Sequence, residues 1–420
     1  MNQQRRLAGR GEIFAWTLFD FANTGFYLII ITLVYPDFFV AKIADGNEAI
    51  WGRTISASML LTAMIGPFLG SLADATNRKR WMLGFFTIAC VLATCGLYFP
   101  TSETIAIAIA LVIIANVGFE GGTIFYDAFL PDIASRSNYS RVSGYGYAMG
   151  YLGSFTTLVI ILPIIGGQNP TEADIRLTFL IAAAFFALFS IPLFLFVRER
   201  HAPRRLQENP FRVGYRRLHD TFSHIRQYKE VRRFLLAFFV YNDAILTVIL
   251  FAAIFADKEL KMTLEQLIYF FMIVQGSALV GSLIFGWISN AIGVRQSIIV
   301  TLVIWIGVVT AAYFVTSAQE FFIIGTIAGI GLGSSQSSSR TMMALLTPED
   351  RKAEFFGFYD GFFGKASAVV GPLVFGEVAR WLGQRTGMLV IGGMFLVGIA
   401  LITRTTDVRA TRDQQPETDG

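Results

Sequence analysis

Nine side chains with chemical capability interrupt stretches of this sequence that are otherwise apolar. They are Asp20 and Asn23 in "LFDFANTGFY", Glu120 and Asp127 in "NVGFEGGTIFYDAF", Asn242 and Asp243 in "FFVYNDAILTV", Arg340 in "QSSSRTMMALL", and Asp360 with Lys365 in "AEFFGFYDGFFGKASAVVGP". Such groups can grip the charged ends of a solute, hold a proton, or pair across helices so that a contact opens and closes. A charge at mid-bilayer costs at least about 2.5 kcal/mol, so each must face a cavity or a partner. No nucleophile with an adjacent base, phosphate-binding loop or metal-ligand pair accompanies them, and no cofactor is expected. "GTIAGIGLG", Gly325 to Gly333, lies inside an apolar run with no strand before it and reads as helix packing.

The elements that must position these groups are transmembrane helices. Of the 420 residues 54% are hydrophobic and only 15% charged, against about 25% charged in soluble domains. Apolar stretches of about 20 residues, the length that crosses hydrocarbon, fall at 13–39, 51–73, 81–100, 104–131, 143–166, 175–197, 234–256, 264–290, 297–316, 319–346, 357–381 and 386–403. The fold class is therefore all-α, integral to the membrane, with twelve spans. The first span follows a short basic stretch with no small-residue cleavage site and reads as retained.

Seven of the 34 Lys and Arg, namely Lys42, Arg53, Arg176, Lys258, Lys261, Arg380 and Arg385, fall on one side; Arg340 and Lys365 lie inside spans, and the rest fall on the other side. That asymmetry places both termini in the cytoplasm and explains the net charge of +4 without nucleic acid. The expected organisation is a six-helix bundle over 1–197, a basic linker over 198–233 resting on anionic lipid headgroups, a second bundle over 234–403, and a disordered tail over 404–420. His201, His219 and His224 lie in the linker, and Cys90 and Cys95 read as packing residues. At 1.5 Å per residue, Asp243 and Lys365 fall near the midplane and Asp20 slightly to the cytoplasmic side. Glu120 falls in the inner third, Asp127 and Arg340 near the cytoplasmic mouth, and Asp360 near enough to the cytoplasm to stay hydrated.

The halves echo each other, the mark of two parallel six-helix repeats. "GPFLGSLADATNRKR" aligns with "IFGWISNAIGVRQ", matching Gly70 to Gly286 and Asp74 to Asn290. Gly146, Gly150 and Gly153 recur at the spacing of Gly357, Gly361 and Gly364. In "GSLADATNRKR", Asp74 is placed to accept hydrogen bonds from an opposing helix N-terminus, and Arg78, Lys79 and Arg80 to reach neighbouring carboxylates.

That loop resembles the one between helices two and three of the major facilitator superfamily, with Ala75 and Asn77 where the pattern favours arginine and glycine. Asn77 tolerates a left-handed turn. Within the superfamily, "LFDFANTGFY", "YDAFLPDIA", "VSGYGYAMGYLGS" and the long stretch from Ser337 to Gly376 resemble the autophagy-related vacuolar effluxer branch and its bacterial relatives, a branch associated with amino-acid efflux. The resemblance implies a major facilitator fold in a bacterial inner membrane, with helices one, four, seven and ten lining a central cavity. It implies a gating role for Gly70, Asp74, Arg78, Lys79 and Arg80.

On this reading Asp20, Asn23, Glu120, Asn242, Asp243 and Lys365 bind substrate or protons, while Asp127, Arg340 and Asp360 gate, an Asp127–Arg340 bridge closing the cytoplasmic side. The expected function is secondary active transport of a small polar solute by alternating access. An amino acid or similar zwitterion is favoured, with Lys365 for its carboxylate and Asp20 or Asp243 for its amine. Protons are the expected coupling ion, carried first by Asp243 and second by Asp20, with Asp243 meeting Lys365 in one state only. A drug or metabolite exporter is the alternative. A membrane-embedded enzyme using Asp20, Glu120 and Asp243 would leave the repeat unexplained.

Overall fold

The computed structural model describes residues 8–165, 170–200, 204, 208–224, 226–368, 371, 375, 377, 378, 380, 381 and 383–406. The expected disordered tail beyond 406, His201 and most of the second half of the eleventh span lie outside the described residues.

Helices α1 (Arg10–Phe26), α2 (Glu48–Thr76), α3 (Lys79–Gly96), α4 (Ile105–Asp127), α5 (Tyr139–Ile165) and α6 (Glu172–Phe196) form the first half. The second half holds α7 (Lys229–Lys258), α8 (Leu264–Ile292), α9 (Val294–Phe314) and α10 (Ala318–Leu346). It continues with α11, built from the consecutive pieces Lys352–Phe356, Gly357–Phe363 and Gly364–Ala366, and α12 (Gln384–Ile402). Among the described residues there is no strand, and nine segments are long and apolar enough to cross a membrane. Helices α3, with two cations in its first turn, α10, with a serine-rich second half, and the described part of α11 run alongside them.

The helix ends follow local chemistry. Asn47 caps α2 by accepting the Ala49 N–H at 3.1 Å, and Thr171, Thr263 and Ser317 form reciprocal capping boxes at α6, α8 and α10. Asn77 ends α2 at φ +52°, the left-handed turn its amide tolerates. The spans expected from hydropathy agree with these helices to within a few residues, with two differences. Helix α1 runs on through π-helical turns at Tyr27–Leu33 and Phe39–Ile43. Helix α11 starts at Lys352, because Lys352 and Glu354 are buried against α2 instead of hydrated, and its Gly357–Phe363 piece is π-helical.

Within the halves α1 packs on α5 and α6, α3 on α4, α7 on α12, and α10 on α8 and α9; between them α2 packs on α11 and α5 on α8 and α10. The expected repeat is visible in this pairing. A Cβ on Gly70 in α2 would overlap the Ala353 carbonyl at the start of α11. A Cβ on Gly286 in α8 would lie 3.1 Å from the Ser140 carbonyl at the start of α5. The two aligned glycines thus serve equivalent crossings, tighter in the first. Leu60, Met64, Leu195, Phe196 and Leu396 stand exposed on the outside, as lipid-facing side chains do.

One face of the molecule gathers the helix ends. Glu12 of α1 pairs with Arg200 after α6 at 2.9 Å, and Glu230 of α7 accepts the Thr406 N–H beyond α12 at 2.6 Å. The linker crosses this face as the helix Pro210–Ser223. It is seated on α2 through a Ser71 hydroxyl bond to the Gly214 carbonyl at 2.8 Å and a Phe68–Phe211 ring contact at 6.3 Å.

Candidate functional site

Three layers of polar contacts join the halves, and among the described residues these hydrogen bonds all lie at mid-depth or toward the face of the termini.

At that face Asp74 of α2 accepts the Glu354 N–H at the start of α11 at 2.9 Å, in the helix N-terminal geometry expected of it. Lys79 pairs with Asp132, and Lys352 of α11 reaches the other oxygen of Asp132 at 2.7 Å, so one carboxylate ties α3 to α11. Arg80 instead holds the end of α6, donating to the Val197 carbonyl at 3.1 Å while its N–H reaches Glu199 at 2.8 Å; partial burial pushes the Glu199 carboxyl up. Arg78, expected in the same network, stands exposed at the start of α3.

The linker helix closes over this layer. Arg351, just before α11, donates to Asp220 at 2.8 Å and to the Thr221 hydroxyl at 2.5 Å, and Arg217 donates to the Asp350 carbonyl at 2.8 Å. The Arg351 hydrogen bond holds the Asp220 carboxyl below its ordinary range. The expected lipid-resting linker is in this respect also a strap across the halves.

One layer deeper Arg340 of α10 is buried, with 1% of its side chain exposed. Its Nη1 donates to Asp127 of α4 at 2.7 Å and to Asp20 of α1 at 3.2 Å, and its Nε and Nη2 bond the Ser143 hydroxyl and carbonyl of α5 at 3.1 and 2.9 Å. Its guanidinium lies 3.9 Å from the Tyr147 ring centroid and 5.1 Å from that of Trp16. Tyr126 donates to Asp20 at 2.8 Å, and Trp16 stacks on Tyr126 at 4.5 Å. The expected Asp127–Arg340 bridge is present. Asp20, expected at the substrate, is here a second anion of that bridge. Asp360, expected to stay hydrated, is half-buried, with one carboxylate oxygen sealed from solvent without a hydrogen-bond partner, beside Asp127. Asn23 is buried one turn beyond Asp20.

At mid-depth Lys365 of α11 pairs with Glu120 of α4 at 2.5 Å, the lysine side chain 22% exposed and the glutamate 3%. Tyr151 donates to Gln336 at 2.6 Å, and Asn242 donates to the Ser367 hydroxyl at 2.7 Å. Asp243 is buried and accepts the Gly371 N–H at 2.7 Å, its other oxygen without a partner. The expected meeting of Asp243 with Lys365 is not made in this state, because Glu120 occupies the ammonium.

Charges inside apolar runs marked Arg340 and Lys365, but several of their partners carried no such mark. Trp16, one turn before Asp20, and Ser143 are unremarkable in sequence. Asp132, Asp220 and Arg351 sit in polar stretches that read as solvated. Among the described residues no cluster of three or more metal-ligating side chains occurs.

The family described as vacuole effluxer Atg22 like matches residues 38–415. An MFS-type transporter, YxiO, of Bacillus subtilis is 31% identical, covering 96% of this chain and 97% of its own. Autophagy-related protein 22 of Yarrowia lipolytica is 24% identical over 77% of this chain and 70% of its own. Among solved structures, the human organic anion transporter MFSD10 superposes with a TM-score of 0.75 at 15% identity, covering 94% of this chain and 99% of that one. A bacterial homologue of the iron transporter ferroportin in an outward-facing state superposes at 0.70 and 12% identity, over 94% and 98%. These likenesses establish the major facilitator fold.

Proposed function

This chain belongs to the Atg22-like vacuole effluxer family, and on that premise we propose that it is a secondary transporter carrying a small zwitterion, an amino acid or close analogue, by alternating access. The observation that carries the substrate class is the Glu120–Lys365 pair, an anion and a cation 2.5 Å apart at mid-depth with the lysine partly open. A zwitterion offers the complementary pair, its carboxylate to Lys365 and its ammonium to Glu120. This moves the amine site from Asp20 or Asp243 to Glu120, since Asp20 is engaged by Arg340.

With the termini in the cytoplasm, the contacts from Asp74 to Arg340 close the cytoplasmic side and the state described is outward-facing. Separation of α2 from α11 and of α5 from α8 then opens the inner path, and Glu120 and Lys365 end on opposite walls of it. Protons are the coupling ion of this reading.

The test is uptake by proteoliposomes of pooled radiolabelled amino acids against pooled other metabolites, for wild type, Lys365→Ala and Glu120→Gln. Amino-acid uptake that both variants reduce by more than about tenfold, a loss of about 1.4 kcal/mol or more of recognition, supports it. Uptake confined to non-zwitterionic solutes would overturn it in favour of an exporter of drugs or metabolites.

A further inference from the structure

The buried gate carries more negative charge than its cations balance. Lys365 is paired with Glu120, whereas Arg340 faces both Asp127 and Asp20, and Asp360, on the Gly357–Phe363 piece of α11 that packs on α4, is a further carboxylate beside Asp127. Asp127 belongs to α4 and Asp360 to α11, so the two meet only while the halves are closed on the side of the termini. Each keeps one oxygen, Oδ2, sealed from solvent and without a hydrogen-bond partner. Asp127 as a whole is 1% exposed, while Asp360 is half-buried.

The other titratable and charged groups around the pair are Asp20 on α1, Glu120 and Tyr126 on α4, Tyr147 on α5, Arg340 on α10, and Tyr359 and Lys365 on α11, with Tyr241 of α7 beyond Tyr359. The Tyr126 hydroxyl is spent on Asp20 and the Tyr241 hydroxyl bonds Ser339. Two ionised carboxylates that no cation bridges repel strongly in a low-dielectric site; a proton shared between them removes one charge and turns the repulsion into a hydrogen bond.

We propose that Asp127 and Asp360 share one proton in the closed gate, and that its release separates α4 from α11, so that the gate itself is the proton-coupling site. The proposal rests on the transporter reading and leaves the Glu120–Lys365 substrate site as described. When the halves part, both carboxylates hydrate and the reason to share a proton disappears. The closed state therefore binds the proton more tightly than the open one, which is the differential affinity that coupling requires. The sign follows: acid favours the closed gate, and alkali opens it, by up to about tenfold in the closed-to-open ratio per pH unit for one linked proton.

The experiment needs no substrate. The full chain carrying Cys90→Ala, Cys95→Ala, Ser137→Cys and Ala291→Cys is spin-labelled in lipid nanodiscs, and the label separation across the gate is measured by double electron–electron resonance. The pH runs from about 5 to about 9, the span over which buried carboxylates titrate. Wild type is expected to lengthen as pH rises. Asp360→Asn, which supplies the shared hydrogen permanently, is expected to stay short throughout, and Asp127→Asn to lose the pH response as well. A wild-type distance that ignores pH overturns the proposal, a result that needs no variant to fold. So does an Asp360→Asn protein that keeps the wild-type response, or an Asp243→Asn protein that alone loses it. Amino-acid uptake with a pH-insensitive gate would leave the transporter reading standing without this proposal. A pH-driven gate in a protein that takes up no amino acid would do the reverse.

Discussion

Lys365 and Glu120 each depend on the other for burial. Removing one leaves an uncompensated charge in the membrane interior, a cost of about 3–5 kcal/mol, while removing both leaves a neutral, packable site. Lys365→Ala should therefore lower the thermal midpoint in detergent, and the double variant Lys365→Met with Glu120→Gln should recover most of it while remaining unable to bind substrate. Recovery of binding along with stability would make the pair structural. Asp74→Asn weakens a charge-assisted bond to the Glu354 N–H, a loss of about 1–2 kcal/mol. Cross-linking between α2 and α11 should then report more open gate, with equilibrium substrate affinity within a few-fold of wild type. At this scale the sequence made the charged members legible, because Arg340, Asp127 and Lys365 stand out in apolar runs. It did not make the pairing legible. Whether Lys365 reaches Asp243 or Glu120 depends on helix rotation and on which halves touch, and neither is encoded in depth along a span.

The linker helix Pro210–Ser223 shows what an element adds to its residues. In sequence it is a basic, solvated stretch; in the fold Arg217 and Arg351 use it to strap the loop before α11 to α2. Its Asp220 carboxylate is held below the ordinary range by Arg351, and the sign of the pH dependence follows. The contact is complete above the unfolded value, about pH 3.9, and is lost only as pH falls through the lower folded value. Hydrogen exchange of 210–223 should accordingly be flat from neutral pH down to about pH 4, after correction for intrinsic rates, and rise in stronger acid. Arg351→Gln should show the raised exchange already at neutral pH. Exchange in Arg351→Gln equal to wild type at neutral pH would mean that the strap does not depend on this bond. The spans themselves were readable to within a few residues from hydropathy. The early start of α11 was hidden because Lys352 and Glu354 look like loop residues until α2 and Asp132 are there to receive them.

For the whole molecule, the repeat was legible as glycine spacing, and the paired crossings at Gly70 and Gly286 are two equivalent contacts between the halves, which the proposed alternating access would part together. Orientation belongs to the same scale. Single cysteines from Asp45→Cys and Pro170→Cys should label from outside intact cells, and one from Pro210→Cys should not; equal labelling of all three would reverse or void the assignment. A carrier that exposes one site alternately to two sides must show counterflow. Proteoliposomes are preloaded with an unlabelled amino-acid pool, diluted into a trace of the labelled pool, and held without any ion gradient. A transient accumulation of label above equilibrium is expected, driven by exchange through the Glu120–Lys365 site and abolished in Lys365→Ala. Label that only rises to equilibrium, at a rate indifferent to the preload, would contradict it.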